Sequence, residues 1–232
     1  MNPRAPLTSA ALARLTKELA HVEPSTVDGC LHCFAEEDLV RLAGPLDEIP
    51  DDLVRRVGIK GLDHWGDGSS LYRRLTPRIL AGVIAAPGES SLVAHRLGWA
   101  GCWTTWPERE RDAVLNVCRG WWLDTLAVDP EPLRTVHVIE FLAATPLPFS
   151  TWLDLWNQQP PGPADAHAAE VCGWWLPEMH ADDLNVGWAD VVDISTELTR
   201  WTLDHGVRRL RRVTDDPVLW DSIAELRRTH GG

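Results

Sequence analysis

The fold of this 232-residue chain is decided by two stretches, VLNVCRGWW at residues 114–122 and AAEVCGWW at residues 168–175. In each stretch the apolar residues recur at i, i+3, i+4 and i+7, which is the spacing of one face of an α-helix. The two apolar stripes are Val114, Val117, Cys118 and Trp121, and Ala168, Val171, Cys172 and Trp175. The spacing predicts two amphipathic helices that bury tryptophan.

The two stretches also share a Val-Cys pair followed by two adjacent tryptophans, and Val171 follows Val117 by 54 residues. Recurrence at such a period is typical of an α-solenoid, in which stacked helix pairs bury a continuous core. Two amphipathic helices in a chain with 13 tryptophans also resemble each other by chance. We therefore predict an all-α fold, either a helical bundle or a short HEAT-like α-solenoid of antiparallel helix pairs.

Helix signals dominate the rest of the sequence, and no run of alternating β-branched residues predicts a strand. Thr76-Pro77 predicts the start of a helix, because proline favours the first helical position. A late helix is predicted to place one set of residues on its apolar side: Val191, Ile194, Leu198, Trp201 and His205. We expect a single domain over residues 1–232, with the proline-rich loop 158–163 as the candidate internal boundary.

Composition favours a cytoplasmic protein. No stretch approaches the roughly 18 apolar residues that a membrane helix needs. The first residues, MNPRAPLTSAALARL, lack the apolar core of a secretory signal. Five cysteines, an odd number without a regular framework, argue against a disulfide scaffold. We expect no membrane association.

The net charge of −12 is concentrated in residues 151–206, which hold one basic and ten acidic residues, a net charge of −9. A surface of one sign steers and selects oppositely charged partners. The candidate partner-binding residues are Asp182, Asp183, Asp190, Asp193, Glu197 and Asp204. They predict either an acidic docking face for a basic protein or a solvated helix face that maintains solubility.

Basic residues form one short cluster, which consists of Arg208, Arg209, Arg211 and Arg212. Nucleic-acid binding needs enough cations to neutralise several phosphates, and one short run is not enough. We expect no nucleic-acid partner and interpret these arginines as charge balance near a helix end.

Cys30-Leu31-His32-Cys33 is the most metal-like segment, because a Cys-x-x-Cys turn lets two thiolates meet one zinc ion. Alone it is half of a zinc site. His64, His95 or Cys102 would have to complete it through the fold. The alternatives are a redox pair, which normally follows a strand, and a packed loop whose thiols are merely buried.

Asp63-His64-Trp65-Gly66-Asp67 places an imidazole between two carboxylates. Such an arrangement orients a histidine for general-base catalysis, so His64, Asp63 and Asp67 are candidate catalytic residues. Turns between helices also use aspartate and glycine without any catalytic role. No nucleophile elbow, phosphate-binding loop or His-Glu-x-x-His motif occurs.

The order of the N-terminal motifs resembles that of a group of uncharacterised bacterial helical proteins that are rich in tryptophan. The motifs are Cys30-x-x-Cys33, the turn at 44–50 (GPLDEIP), the turn at 64–67 (HWGD) and the segment 72–80 (YRRLTPRIL). The resemblance covers the first third of the chain and is looser beyond it. It implies a helical unit that contains these motifs, and it implies no activity. Threonine at position 76, where leucine is expected, departs from the pattern.

These observations favour three functions. The first is an interaction module that presents its acidic face at 151–206 to a basic partner, as an immunity or inhibitor protein does. The second is a hydrolytic or metal-dependent enzyme that uses the Asp63 to Asp67 turn, with zinc at Cys30 and Cys33. The third is a helical scaffold that binds through exposed tryptophan.

Overall fold

The structure is a computed structural model that describes residues 6–23, 26–181, 186 and 194–230. Its regular elements are helices, and in these ranges the only β-type pairing is an isolated bridge between Gly29 and Trp65. The all-α prediction is confirmed, whereas the solenoid arrangement stays a prediction. The chain divides into two compact units, Met1–Gly120 and Trp121–Gly232, and the loop 158–163 lies within the second.

The described residues of the first unit contain five complete helices and most of a sixth. They are α1 (Leu7–Leu19), α2 (Glu36–Ala43), α3 (Asp51–Ile59), α4 (Gly68–Ala85), α5 (Ser90–Trp99) and α6 (Glu108–Leu126). The boundary between the units falls inside α6.

Polar side chains of α4 bind the C-terminal ends of two neighbouring helices. The Tyr72 hydroxyl lies 2.6 Å from the carbonyl oxygen of Val57 and 2.9 Å from that of Gly58, at the end of α3. The Arg74 guanidinium donates to the carbonyl oxygens of Leu42 and Gly44, at the end of α2. The last carbonyl groups of a helix lack the regular i+4 donor, and these side chains supply donors at that position. The segment 72–80 therefore fixes α2 and α3 against α4.

The predicted helix start at Thr76-Pro77 is wrong, because Pro77 lies inside α4. The helix begins at Gly68, after Asp67, whose side chain accepts a hydrogen bond from the Ser70 N–H at 3.0 Å. That capping bond satisfies an amide that would otherwise be unpaired at the helix start. Pro77 has no N–H, so α4 lacks one backbone hydrogen bond at this position but continues through it. The start of α4 is marked by the capping carboxylate of Asp67.

In the part of the second unit that the structure describes, the end of α6 is followed by six further helices. They are α7 (Arg134–Ala143), α8 (Phe149–Asn157), α9 (Pro163–Ala181), α10 (Ile194–Trp201), α11 (Val207–Leu210) and α12 (Pro217–His230). A π-helical turn, Thr202–Gly206, connects α10 to α11.

The π-helical turn changes which residues face the core. His205 is exposed, which contradicts its predicted place on the apolar side, and Gly206 is buried instead. A π-turn closes its hydrogen bonds from i to i+5, so it shifts the buried stripe by one residue. The buried positions Ile194, Leu198 and Trp201 precede the shift and agree with the prediction. Val191, the remaining predicted position, lies outside the described residues.

Tryptophan forms the core of the second unit. The Trp122 and Trp156 rings meet edge to face with centroids 5.3 Å apart, and Trp201 stacks on Trp156 at 4.3 Å. The Trp122 indole N–H donates to the Trp152 carbonyl oxygen at 2.9 Å, and the Trp156 indole N–H donates to that of Ala164 at 2.9 Å. The Trp122 and Trp156 rings are thus buried with their indole N–H groups paired.

Both apolar stripes of residues 114–121 and 168–175 are buried, as predicted. The second tryptophan of each pair behaves differently: Trp122 is buried, whereas Trp174 is half exposed. Trp122 follows its stripe and Trp174 precedes Trp175, so the two rings lie on different sides of their helices.

Arg209 is an internal residue of the second unit. Its guanidinium donates to Asp165 at 2.7 Å and to the carbonyl oxygens of Trp156 at 2.6 Å and Gln159 at 3.0 Å, at the end of α8. Arg209 is 5% exposed and Asp165 is 1% exposed. Arg209 belongs to the predicted basic cluster, but its guanidinium is buried and bonded to groups of the same unit.

Candidate metal centre

The candidate site lies where two turns of the first unit pair through their backbones. Gly29 forms the isolated antiparallel bridge with Trp65. Next to it, the Cys30 N–H donates to the His64 carbonyl oxygen at 2.8 Å. This pairing places the Cys30-x-x-Cys33 turn beside His64.

Close packing fixes the separation of the two turns. A Cβ atom at Gly29 would lie 2.8 Å from the Trp65 ring and 2.9 Å from the Leu39 side chain, so only glycine fits there. Phe34 packs against the same indole, with ring centroids 4.5 Å apart. The Trp65 ring thus holds both segments in register.

The Cys-x-x-Cys segment is a tight turn. The Cys33 N–H donates to the Cys30 carbonyl oxygen at 2.9 Å, and the Phe34 N–H donates to the same oxygen at 3.1 Å. The two sulfur atoms and one ring nitrogen of His64 all lie within 4.8 Å of one another. Three atoms that bind soft metal ions therefore converge on one point.

The spacing of these atoms matches a tetrahedral ion. Cys33 Sγ lies 3.4 Å from His64 Nδ1. Zinc bonds of about 2.3 Å to sulfur and about 2.0 Å to nitrogen place such a pair about 3.5 Å apart at the tetrahedral angle, and two sulfur atoms about 3.8 Å apart. Shifts of about 1 Å or less therefore bring all three atoms into coordination.

The environment favours the metal-binding form of Cys30. A hydrogen bond with His64, followed by the backbone N–H groups of His32 and Cys33, lowers the pKa of Cys30 to about 7. The thiolate is the form that binds metal. Cys30, Cys33 and His64 are each partly exposed, so an ion reaches them from solvent.

Arg56 of α3 holds the Cys30–Cys33 turn in place through its guanidinium group. Its guanidinium donates to the Cys33 carbonyl oxygen at 2.7 Å and to Asp38 Oδ2 at 3.1 Å. It also lies over the Phe34 ring, 4.7 Å from the centroid. The sequence contains no signal for this role, because α3 reaches the turn only through the tertiary fold. Arg56 is a positioning residue for the site.

The two carboxylates predicted to flank His64 have other surroundings. Asp67 caps α4, and hydrogen bonds from Ser70, first from its hydroxyl and then from its N–H, lower the pKa of Asp67. Asp63 is exposed, and its carboxylate packs against Gly61. A Cβ atom at Gly61 would lie 2.2 Å from Asp63 Oδ1. The structure thus brings His64 to the cysteine pair, with a thiol as the neighbour of Nδ1.

Of the three residues predicted to complete the cysteine pair, His64 is the one in the cluster. Cys102 is fully buried, and this burial raises its pKa. His95 packs against Trp99, with ring centroids 4.3 Å apart.

Four of the six predicted partner-binding residues lie outside the described residues. They are Asp182, Asp183, Asp190 and Asp193. The other two, Glu197 and Asp204, line a cavity of about 320 Å³ in the second unit, together with Asp154. Arg200 and His205 line the same cavity, so its wall is acidic but not uniformly so.

A buried polar cluster in the second unit was missed by sequence reasoning. The Thr135 hydroxyl donates to Glu170, and His167 Nδ1 lies 2.6 Å from the same hydroxyl oxygen. His167 Nε2 lies 2.9 Å from the Val128 carbonyl oxygen. Thr135, His167 and Glu170 therefore form one hydrogen-bonded cluster. The i, i+3 spacing of residues 167 and 170 is the one signal in the sequence.

Comparison of the chain with protein-family models, curated proteins and solved structures finds no match. Among the described residues, no helix combines the length and apolar character needed to cross a bilayer.

Proposed function

We propose that the chain is a zinc-binding protein whose ion is held by Cys30, Cys33 and His64. The observation that carries this proposal is the convergence of their three ligand atoms within 4.8 Å. Two thiolates and a neutral imidazole balance the charge of a divalent ion. Sulfur ligands favour zinc over magnesium and calcium, which prefer oxygen.

The proposed ion keeps one coordination position for an external ligand. Tetrahedral zinc takes four ligands, and in the part of the chain that the structure describes the cluster contains three. Three protein ligands plus water is the arrangement of catalytic zinc, which lowers the pKa of the bound water and polarises carbonyl groups. The partial exposure of all three ligands supports a hydrolytic metal-dependent enzyme as the function of the site.

Thermal and denaturant unfolding with and without zinc test this proposal. Binding to the folded state alone raises the free energy of unfolding, by about 2.7 kcal/mol when free zinc is 100 times its dissociation constant. We expect zinc to raise the melting temperature, a chelator to reverse the effect, and magnesium to have none. Equal melting temperatures with zinc and with chelator would contradict zinc binding by the folded chain.

Replacing Arg56 with glutamine should weaken zinc binding about tenfold while leaving all three ligands in place. Residues that orient metal ligands without binding the ion typically contribute 10- to 100-fold to the metal affinity. Competition with a chromogenic chelator measures the change. The matched control is Arg55→Gln, since Arg55 pairs with Glu89 instead, at 2.7 Å. Equal affinities for the two variants would remove Arg56 from the site.

We also propose that the acidic segment 151–206 binds a basic protein. The observation that favours this second function is that Glu197, Asp204 and Asp154 share one cavity wall. Asp154 and Asp204 are exposed and Glu197 is partly buried. A carboxylate surface attracts a basic partner and repels acidic ones. This binding surface and the zinc site are separate proposals, because the two sets of residues belong to different units.

Charge reversal at Glu197 and Asp204 tests the acidic surface. The double variant Glu197→Arg and Asp204→Arg should lose most of its salt-sensitive binding to a basic polypeptide such as polylysine, because exposed charge pairing is screened by salt. Fluorescence titration at low and high salt measures the loss. The control is Glu225→Arg with Asp221→Arg on α12. Unchanged binding by the cavity variant, or an equal loss in the control, would contradict this surface.

A further inference from the structure

The five cysteines of the chain fall into two classes. Cys102, Cys118 and Cys172 are buried, and burial raises the pKa of each thiol. Cys30 and Cys33 are partly exposed, and all five are free thiols. Oxidants therefore reach only one pair of cysteines in the folded protein.

The geometry of this pair suits a disulfide as well as a metal. The hydrogen bond from the Cys33 N–H to the Cys30 carbonyl oxygen closes the turn at 2.9 Å. The sulfur atoms lie within 4.8 Å of each other, so side-chain rotation brings them to the S–S bond length of about 2.05 Å. Because the two residues are three apart in one turn, the bond closes a small ring without moving another element.

We infer that Cys30 and Cys33 form a reversible disulfide that excludes the metal, so that the site is released by oxidation. This inference rests on the proposed zinc site. A disulfide consumes both sulfur ligands and leaves His64 alone, and one imidazole does not hold zinc. Metal binding and disulfide formation at this turn are therefore mutually exclusive.

A low-molecular-weight disulfide, glutathione disulfide, is the oxidant that balances the reaction. One cysteine thiolate attacks a glutathione sulfur, the S–S bond breaks, and one glutathione leaves as a thiolate. The second cysteine thiolate then attacks the protein sulfur of the mixed disulfide, forms the Cys30–Cys33 bond and expels the second glutathione. Two electrons pass from the cysteine pair to glutathione disulfide, and a bound zinc ion leaves as Zn²⁺.

Treatment of the full chain with glutathione disulfide, with and without zinc, tests this inference. After the reaction, free thiols are alkylated in denaturant and the cysteine peptides are identified by mass spectrometry. We expect metal-free protein to lose alkylation at Cys30 and Cys33 together, while Cys102, Cys118 and Cys172 are alkylated in full. Zinc should slow the reaction at least about tenfold, because it occupies the thiolates. Zinc-loaded protein should release one ion per disulfide formed, and dithiothreitol should restore both thiols.

Variants and metal analysis separate the two proposals. In Cys33→Ser the reaction should stop at a glutathione adduct on Cys30, which shows that Cys33 resolves the mixed disulfide. A wild-type protein that stays glutathionylated, or unreacted, while it binds zinc would overturn the disulfide and leave the zinc site in place. A protein that forms the disulfide but binds no zinc would overturn the zinc site and the exclusion of metal, and would leave the oxidisable pair.

Discussion

Replacing His64 with alanine is expected to weaken zinc binding on the order of 100- to 1,000-fold. Structural zinc sites bind with about 10–16 kcal/mol shared among four ligands, or about 2.5–4 kcal/mol for each. The substitution removes one ligand atom and keeps the His64 carbonyl group, which accepts the Cys30 N–H at 2.8 Å. The pairing of the two turns should therefore persist, so that the loss is specific to the metal.

The matched control for this variant is His32→Ala. His32 is exposed within the same Cys-x-x-Cys turn, but it does not belong to the ligand cluster. Its removal should leave the zinc dissociation constant within about twofold of the wild-type value. Calorimetric titration, or competition with a chelator of known affinity, compares the two variants. Equal affinity in both would show that zinc binds elsewhere, and equal loss in both would assign a ligand role to His32.

Replacing Asp165 with alanine is expected to lower the free energy of unfolding by about 3–5 kcal/mol. Asp165 accepts from Arg209 at 2.7 Å and from Arg212 at 3.2 Å, and both Asp165 and Arg209 are almost fully buried. Removing the carboxylate leaves the buried guanidinium with carbonyl partners but no counter-ion. An uncompensated buried charge destabilises far more than the ion pair itself stabilises.

Denaturant unfolding followed by tryptophan fluorescence measures this loss, and Asp154→Ala provides the control. Asp154 is an exposed carboxylate on α8 of the same unit, and its removal should change stability by less than about 0.5 kcal/mol. The double variant Asp165→Leu and Arg209→Met should recover much of the loss, because it removes both charges. If Asp165→Ala lowers the free energy of unfolding by less than about 1 kcal/mol, water solvates the Arg209 charge and the prediction is contradicted.

The helices could be predicted because their apolar spacing reflects burial directly. Both tryptophan stripes are buried, and so are Ile194, Leu198 and Trp201 of α10. Two errors arose where backbone hydrogen bonding departs from the regular pattern. Pro77 lies inside α4 because Asp67 caps the helix earlier in the chain, and His205 is exposed because a π-turn shifts the register. Periodicity carries no information about either event.

The candidate site was predictable only in part, for a similar reason. The spacing of Cys30 and Cys33 indicates two ligands on one turn, and it leaves the third ligand among His64, His95 and Cys102. That choice depends on the backbone bridge at Gly29, which joins residues distant in sequence. Arg56 depends on the packing of α3 against the turn, so local sequence did not reveal it.

The most direct test of the zinc site is the metal content of the purified chain. Wild-type protein and the double variant Cys30→Ser and Cys33→Ser are equilibrated with zinc, passed through a desalting column and analysed by elemental mass spectrometry and circular dichroism. We predict one zinc ion per wild-type chain and none in the double variant, with equal helix content in both, because the two cysteines lie in a turn outside the helices. Metal-free wild-type protein, or equal zinc in both proteins, would contradict a zinc site at Cys30, Cys33 and His64.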